Sequence, residues 1–360
     1  MKIFDISEID SNFKGDSIVF ENMKTLNALQ HPFSITGVTF DGEKFVRMPE
    51  EIAKQVNSGV LGLYADTSGG RIRFKTNSSK ITLTVILPRL SKMQHMPQTG
   101  SSCFDLYTGD KYIGPFRCNY KLRDDGSDLY EGSATINLYN DDMKDVTMNF
   151  PLYNRVSAVY ISLDKDSKLE APDPEKYEIP IVFYGSSITQ GGCASHPGNA
   201  YANIISRRFN TDILNLGFSG SCRGEPAMAE YLAGLEMSVF VYDYDHNAMS
   251  ADHLEKTHES TFKVIRDKHP DLPVIFITAA DDCYTFRGEK SRRTEIIKKT
   301  YENAVLAGDK NVYFIDGETI YADVGLDYCT VDDCHPNDLG FWCMAKSIGN
   351  VIEEILNRKA

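Results

Sequence analysis

The chain has 360 residues, 42% hydrophobic and 25% charged, a balance that fits a globular protein and excludes a fibrous repeat or a disordered polyelectrolyte. Its length suits two domains better than one. The formal net charge of −13 repels phosphate backbones and anionic lipid, so neither nucleic acid nor a membrane surface is an expected partner.

The opening residues Met1-Lys2-Ile3-Phe4-Asp5-Ile6-Ser7-Glu8 carry acid before any apolar stretch, so no secretory leader is expected. No apolar run approaches the roughly 20 residues that cross a bilayer. A cytoplasmic location follows as an expectation. There, the 8 cysteines are expected to be reduced.

From about residue 30 to 165 the chain is built of short alternating runs. Arg71-Ile72-Arg73-Phe74-Lys75 and Lys80-Ile81-Thr82-Leu83-Thr84-Val85 have the period of two that half-buried strands require. The cluster Thr76-Asn77-Ser78-Ser79 separates them as a turn, and Thr67-Ser68-Gly69-Gly70 precedes them as another. Phe104 to Tyr107, Ala134 to Tyr139 and Val156 to Ile161 continue the series, with one helix expected over Pro49 to Val56. Many short strands punctuated by turns predict an antiparallel, jelly-roll-like β-sandwich over residues 1–170.

Residues 171–178, opening on Ala171-Pro172-Asp173-Pro174, cannot continue a ladder because proline lacks a donor, and they read as a linker. After it, over residues 179–360, strand and helix alternate. Apolar runs at Ile179–Gly185, Asp212–Phe218, Ser238–Tyr244, Pro273–Ala279 and Asn311–Asp316 suit parallel strands covered on both faces. Helical stretches are clearest at 250–268, 288–306 and 337–356. The fold class is therefore α/β, a five-stranded doubly wound, flavodoxin-like parallel sheet preceded by the sandwich.

Such sheets carry their sites at the C-terminal ends of the strands, which selects four loops. The first holds Gly185-Ser186-Ser187-Ile188-Thr189-Gln190, a serine exposed at the start of a helix. The second holds Asn215-Leu216-Gly217-Phe218-Ser219-Gly220, where glycine lets a backbone N–H approach a ligand. The third holds Asp245-His246-Asn247-Ala248, and Asn247 can offer an amide to a developing oxyanion. The fourth, Asp332-Asp333-Cys334-His335-Pro336-Asn337, pairs a base of near-neutral pKa with a carboxylate three residues upstream. Cys329, Cys334 and His335 lack the paired C-x-x-C spacing of zinc sites, and neither metal nor cofactor is expected.

In this order the four blocks resemble those of the SGNH (GDSL-like) hydrolases, over roughly residues 178 to 357. Departures are Ser186 for the usual aspartate, Asp245 for a glycine and Ala248 for an aspartate. The first half is similar to the sandwich domain that precedes the catalytic domain in one bacterial subgroup, through Thr67 to Phe74; Ser219 to Pro226 of the second half is similar to the same subgroup. The resemblance implies a serine esterase with Ser187 as nucleophile, His335 as base and Asp332 as its orienting carboxylate. Ser187 is chosen over Ser186 by the Gly-x-Ser spacing and by Thr189 two residues on.

The oxyanion hole is expected from Ser187, Gly217 and Asn247. Ser186, His246, Arg223 and Glu225 are candidate substrate contacts, although Arg223 and Glu225 could equally pair with each other, and His246 could be an ordinary loop histidine. Gln190, Ser195, His196 and Asn199 make the loops polar, which points to short acyl groups, acetyl above all, on a polar alcohol such as a carbohydrate. Two alternatives stand beside hydrolysis. One is acyl transfer through the same triad. The other is a carbohydrate-binding protein with a vestigial site, disfavoured because the single tryptophan, Trp342, sits in the last helix.

Overall fold

A computed structural model describes residues 15–281 and 288–359; the opening residues on which the leader argument rests lie outside them. Two antiparallel sheets form the first part. One runs in the order Met23–Asn27, Ala158–Asp164, Lys80–Leu87, Tyr130–Asn137, Lys121–Leu122. The other runs Leu169–Glu170, Arg71–Thr76, Lys144–Asn149, Asp105–Thr108, Lys111–Pro115. Alternate residues of both, among them Ile72, Phe74, Leu83, Val85, Met148 and Ile161, form one apolar core, the filling of a β-sandwich. The predicted helix covers Glu50–Val56, and a second, Ser58–Leu63, follows at once, capped by the Asn57 side chain.

Arg71 breaks the alternation: it is buried, although charged residues of such a strand usually face water. Its guanidinium meets Glu175 at 2.8 Å and also Asp212, both outside the sandwich. The proline-rich 171–178 segment is therefore anchored rather than loose. Glu175 is buried in that ion pair, and Tyr177 already belongs to the next strand.

The second part is the parallel sheet, with β1 Tyr177–Gly185, β2 Thr211–Gly217, β3 Val239–Asp243, β4 Val274–Ile277 and β5 Val312–Ile315 in the order β2-β1-β3-β4-β5. Its helices are α1 Ser187–Gln190, α2 Tyr201–Phe209, α3 Pro226–Ala233, α4 Ala251–Lys268, α5 Lys290–Leu306 and α6 Asp338–Lys359. Helices α3, α4 and α5 pack on one face and α2 and α6 on the other, which explains why the strands read as unbroken apolar runs. Ser250 caps α4 through His253 N, and Asn337 caps α6 through the N–H groups of Leu339 and Gly340. Among the described residues no helix is long and apolar enough to cross a membrane. The seven described cysteines are buried, and none is in a disulfide with another described residue.

Candidate active site

Strand order places the site. The strand order reverses at β1, with β2 on one side and β3 on the other, so the loops after these parallel strands open a crevice at their C-terminal ends. Strand β1 ends at Gly185, where an added Cβ would lie 2.0 Å from Thr189 Oγ1; only glycine lets α1 turn back so closely. Ser186 then caps α1, its hydroxyl accepting the Ile188 N–H at 3.1 Å. Ser186 is 1% exposed and spent on this bond, so it is a cap and not the substrate contact expected of it. Ser187 is the first residue of α1. Its hydroxyl stands 2.9 Å from His335 Nε2.

His335 Nδ1 lies 2.9 Å from Asp332 Oδ2, and the His335 backbone N–H donates to Asp332 Oδ1 at 2.7 Å. One carboxylate thus sets both the ring and its backbone. Partial burial pushes the Asp332 carboxyl up, but the N–H groups of His335 and Cys334 and the His335 ring outweigh it and hold it below the ordinary value. With Nδ1–H on Asp332, Nε2 carries the lone pair that can take the Ser187 proton.

One of the three expected oxyanion donors is already engaged. The Gly217 N–H already donates to Asn215 Oδ1 at 2.9 Å, and a Cβ there would sit 2.2 Å from Gln190 N. Gly217 is a packing glycine under α1. Three residues later Gly220 is exposed, with φ +66 and open space around it. Its N–H meets no acceptor among the described residues. Asn247 Oδ1 accepts the Cys222 N–H at 3.3 Å, and its Nδ2 meets no acceptor among the described residues. Ser187 N, Gly220 N and Asn247 Nδ2 are the donors left unspent.

The polar loop residues prove to be structural. Gln190 is fully buried: its Nε2 donates to Leu152 O at 3.2 Å and its Oε1 accepts the Ser219 N–H at 3.0 Å. Ser195 bonds Asp338 at the start of α6. His196 Nδ1 meets the buried Asp105 of the sandwich at 2.6 Å. Arg223 and Glu225 do not pair: Arg223 donates to Gly220 O at 3.3 Å, and Glu225 accepts from Asn57 at 2.6 Å. His246 Nε2 lies 2.7 Å from Asp281 Oδ2. Burial would lower its pKa, but Asp281 and then Asp245 and Asp243 raise it to about 10, so this imidazolium clamps the ends of β3 and β4.

Four residues near the site carry no motif signal. Arg47 donates to the carbonyls of Asn215 and Gly217 at 2.9 and 2.6 Å. Tyr153 OH donates to Ser187 O at 3.2 Å. His95 lies edge to face with His335 at 5.4 Å, and Cys193 is buried beside them. Three of the four come from the sandwich, where no local spacing announces their destination. The signal for His95 is its flanks: Met93 and Met96 are apolar residues in a loop, and both pack into the core of the parallel sheet's domain.

Residues 178–353 match the GDSL-like lipase/acylhydrolase family, and residues 23–169 match the N-terminal domain of SGNH-hydrolase-type esterases. A GDSL-like lipase from Bacteroides ovatus is 28% identical, with 93% of this chain and 98% of that one covered and a TM-score of 0.80. A salicylyl-acyltransferase of a tetracycline biosynthetic pathway is 18% identical over 92% and 96%, with a TM-score of 0.70. An acetyl xylan esterase from Butyrivibrio proteoclasticus is 12% identical over 93% and 99%, with a TM-score of 0.59. These last two share the fold. No curated protein matches the chain.

Proposed function

Through residues 178–353 the chain belongs to the GDSL-like lipase/acylhydrolase family and is a carboxylic ester hydrolase, and we propose that it works through an acyl-enzyme on Ser187. The observation that carries this reading is the continuous chain Ser187–His335–Asp332, with both links at 2.9 Å. Ser187 Oγ attacks the ester carbonyl as His335 Nε2 takes its proton, and Asp332 stabilises the resulting imidazolium. The tetrahedral oxyanion is held by Ser187 N–H, Gly220 N–H and Asn247 Nδ2. His335 then protonates the leaving alcohol, and water repeats the cycle to free the acid.

The proposed substrate is a short acyl ester, acetyl above all, of a polar alcohol such as a carbohydrate. What supports it is the tight surround of the nucleophile: Ser187 is 8% exposed, and an added Cβ at Gly192 would lie 2.9 Å from Tyr153 Oη and 3.3 Å from His335 Cδ2. Neighbours this close to the nucleophile favour a small acyl group over a long chain. The fold shared with an acetyl xylan esterase agrees with this. Transfer to a second alcohol uses the same acyl-enzyme, and the acyltransferase neighbour keeps that reading open.

A panel of aryl esters of increasing chain length, run with acetylated sugars and with added acceptor alcohols, tests the proposal. Acetyl esters should turn over fastest, and mass spectrometry of a quenched reaction should find the acyl group on Ser187. Faster octanoyl turnover would remove the short-acyl reading. Transfer product exceeding hydrolysis would make the protein an acyltransferase.

A further inference from the structure

Beside the triad, three metal-ligating side chains surround one point. His95 comes from the sandwich loop at 88–97, Cys193 from the turn after α1, and His335 from the loop before α6. Each offers one ligand atom, and these atoms all lie within 4.8 Å of one another. Asp332 Oδ2 stands 4.0 Å from His95 Nε2 and 2.9 Å from His335 Nδ1. The placement is built in. Buried Met96 and partly buried Met93 pin the His95 loop to the neighbouring core, and Cys193 is held in a left-handed turn at φ +75.

Two imidazoles and a thiolate are a zinc-type donor set, three protein ligands that a water would complete to four. A carboxylate behind a ligating imidazole is the usual support at such sites, and Asp332 already occupies that position on His335. Because Asp332 holds Nδ1, Nε2 of His335 is the atom free to ligate. It is also the atom that would take the Ser187 proton. One lone pair cannot serve both.

We propose that His95, Cys193 and His335 form a site for a soft divalent cation, zinc above all, and that an ion bound there switches the enzyme off by occupying its base. The inhibitory part rests on the reading of His335 given above. Binding forms two metal–nitrogen bonds and one metal–sulfur bond, the Cys193 thiol proton leaves to solvent, and no electron is transferred. His95 and Cys193 belong to neither triad nor oxyanion pocket, so their loss removes metal sensitivity and spares turnover.

Cobalt titration of the full chain tests the site directly, because a thiolate ligand produces a sulfur-to-cobalt charge-transfer band. The band is expected in the wild type and in Ser187→Ala, is bleached by added zinc, and is lost in Cys193→Ser. In acetyl ester hydrolysis, His95→Ala should need at least about 10-fold more zinc for half inhibition. His95 is on an exposed loop, so this variant keeps the test valid if Cys193→Ser fails to fold. Equal zinc sensitivity in wild type and His95→Ala, or a band that survives Cys193→Ser, overturns the site. The band needs no substrate: present in a protein without ester turnover, it supports the cation site while the esterase reading fails.

Discussion

Adjacent serines separate two jobs at the residue scale. Ser186 accepts a helix N–H and Ser187 faces His335, so their alanine variants should fail in different ways. Ser187→Ala should lower kcat by roughly 10⁶-fold with the fold intact. Ser186→Ala should cost about 1 kcal/mol of stability, seen as a lower midpoint in denaturant, and retain hydrolysis. The opposite pattern in activity assays would move the nucleophile by one residue. Asn247→Ala should lower kcat by about 10² to 10³ with little change in KM, since its amide is needed only when the oxyanion forms. An unchanged kcat would take Asn247 out of the pocket. The resemblance placed Ser187, Asp332 and His335 by spacing, and it put the glycine donor at Gly217, whose N–H is already bonded, so the reading moves to Gly220. That move depends on where Asn215 Oδ1 points, which no spacing encodes.

Between elements, buried charge does the fastening. The His246–Asp281 pair joins the end of β3 to the segment after β4. Its histidine is raised from 6.5 to about 10, so the stability it contributes is complete below pH 6.5 and is lost as pH climbs through about 10. Melting temperature measured from pH 7 to 10 should therefore fall more steeply in the wild type than in His246→Gln. Parallel profiles would show that the pair does not titrate as argued. The variant itself should be about 3–5 kcal/mol less stable near neutrality, because Asp281 stays buried without its cation. Arg47 fastens the sandwich to β2 in the same manner. Replacing it by methionine should lower both stability and kcat, since the carbonyls it holds end the strand that leads into the loop carrying Gly220.

On the scale of the whole molecule, the contacts that join sandwich and sheet are numerous and buried. Arg71 meets Glu175, Asp105 meets His196, and Ser68 donates to Gln190 O at 2.6 Å. From His196 the connection continues through Ser195 to Asp338, three residues past His335. Separating the parts would exchange these bonds for bonds to water, a net loss of about 0.5–3 kcal/mol each, and would expose the apolar surface around them. Scanning calorimetry of the intact chain should thus show one cooperative transition. Two resolved transitions would mean that the parts fold independently and that the interface contributes little.

What the sequence determined by itself was whatever depends on local period and short spacing. Alternation of two marked the sandwich strands, unbroken apolar runs marked the parallel sheet, and Asp-x-x-His placed a carboxylate where it could orient its imidazole. Helix and strand ends drifted by a few residues, as at Tyr130–Asn137 for an expected 134–139, because side-chain period does not define where a ladder stops. Only the tertiary structure decided the rest. It turned Gln190, Ser195 and His196 from loop residues open to substrate into fasteners, and it brought His95 to His335 across 240 positions of chain. The physical reason is the same in each case. A polar side chain takes its partner from whatever folding buries beside it, and the distance along the chain carries no information about that meeting.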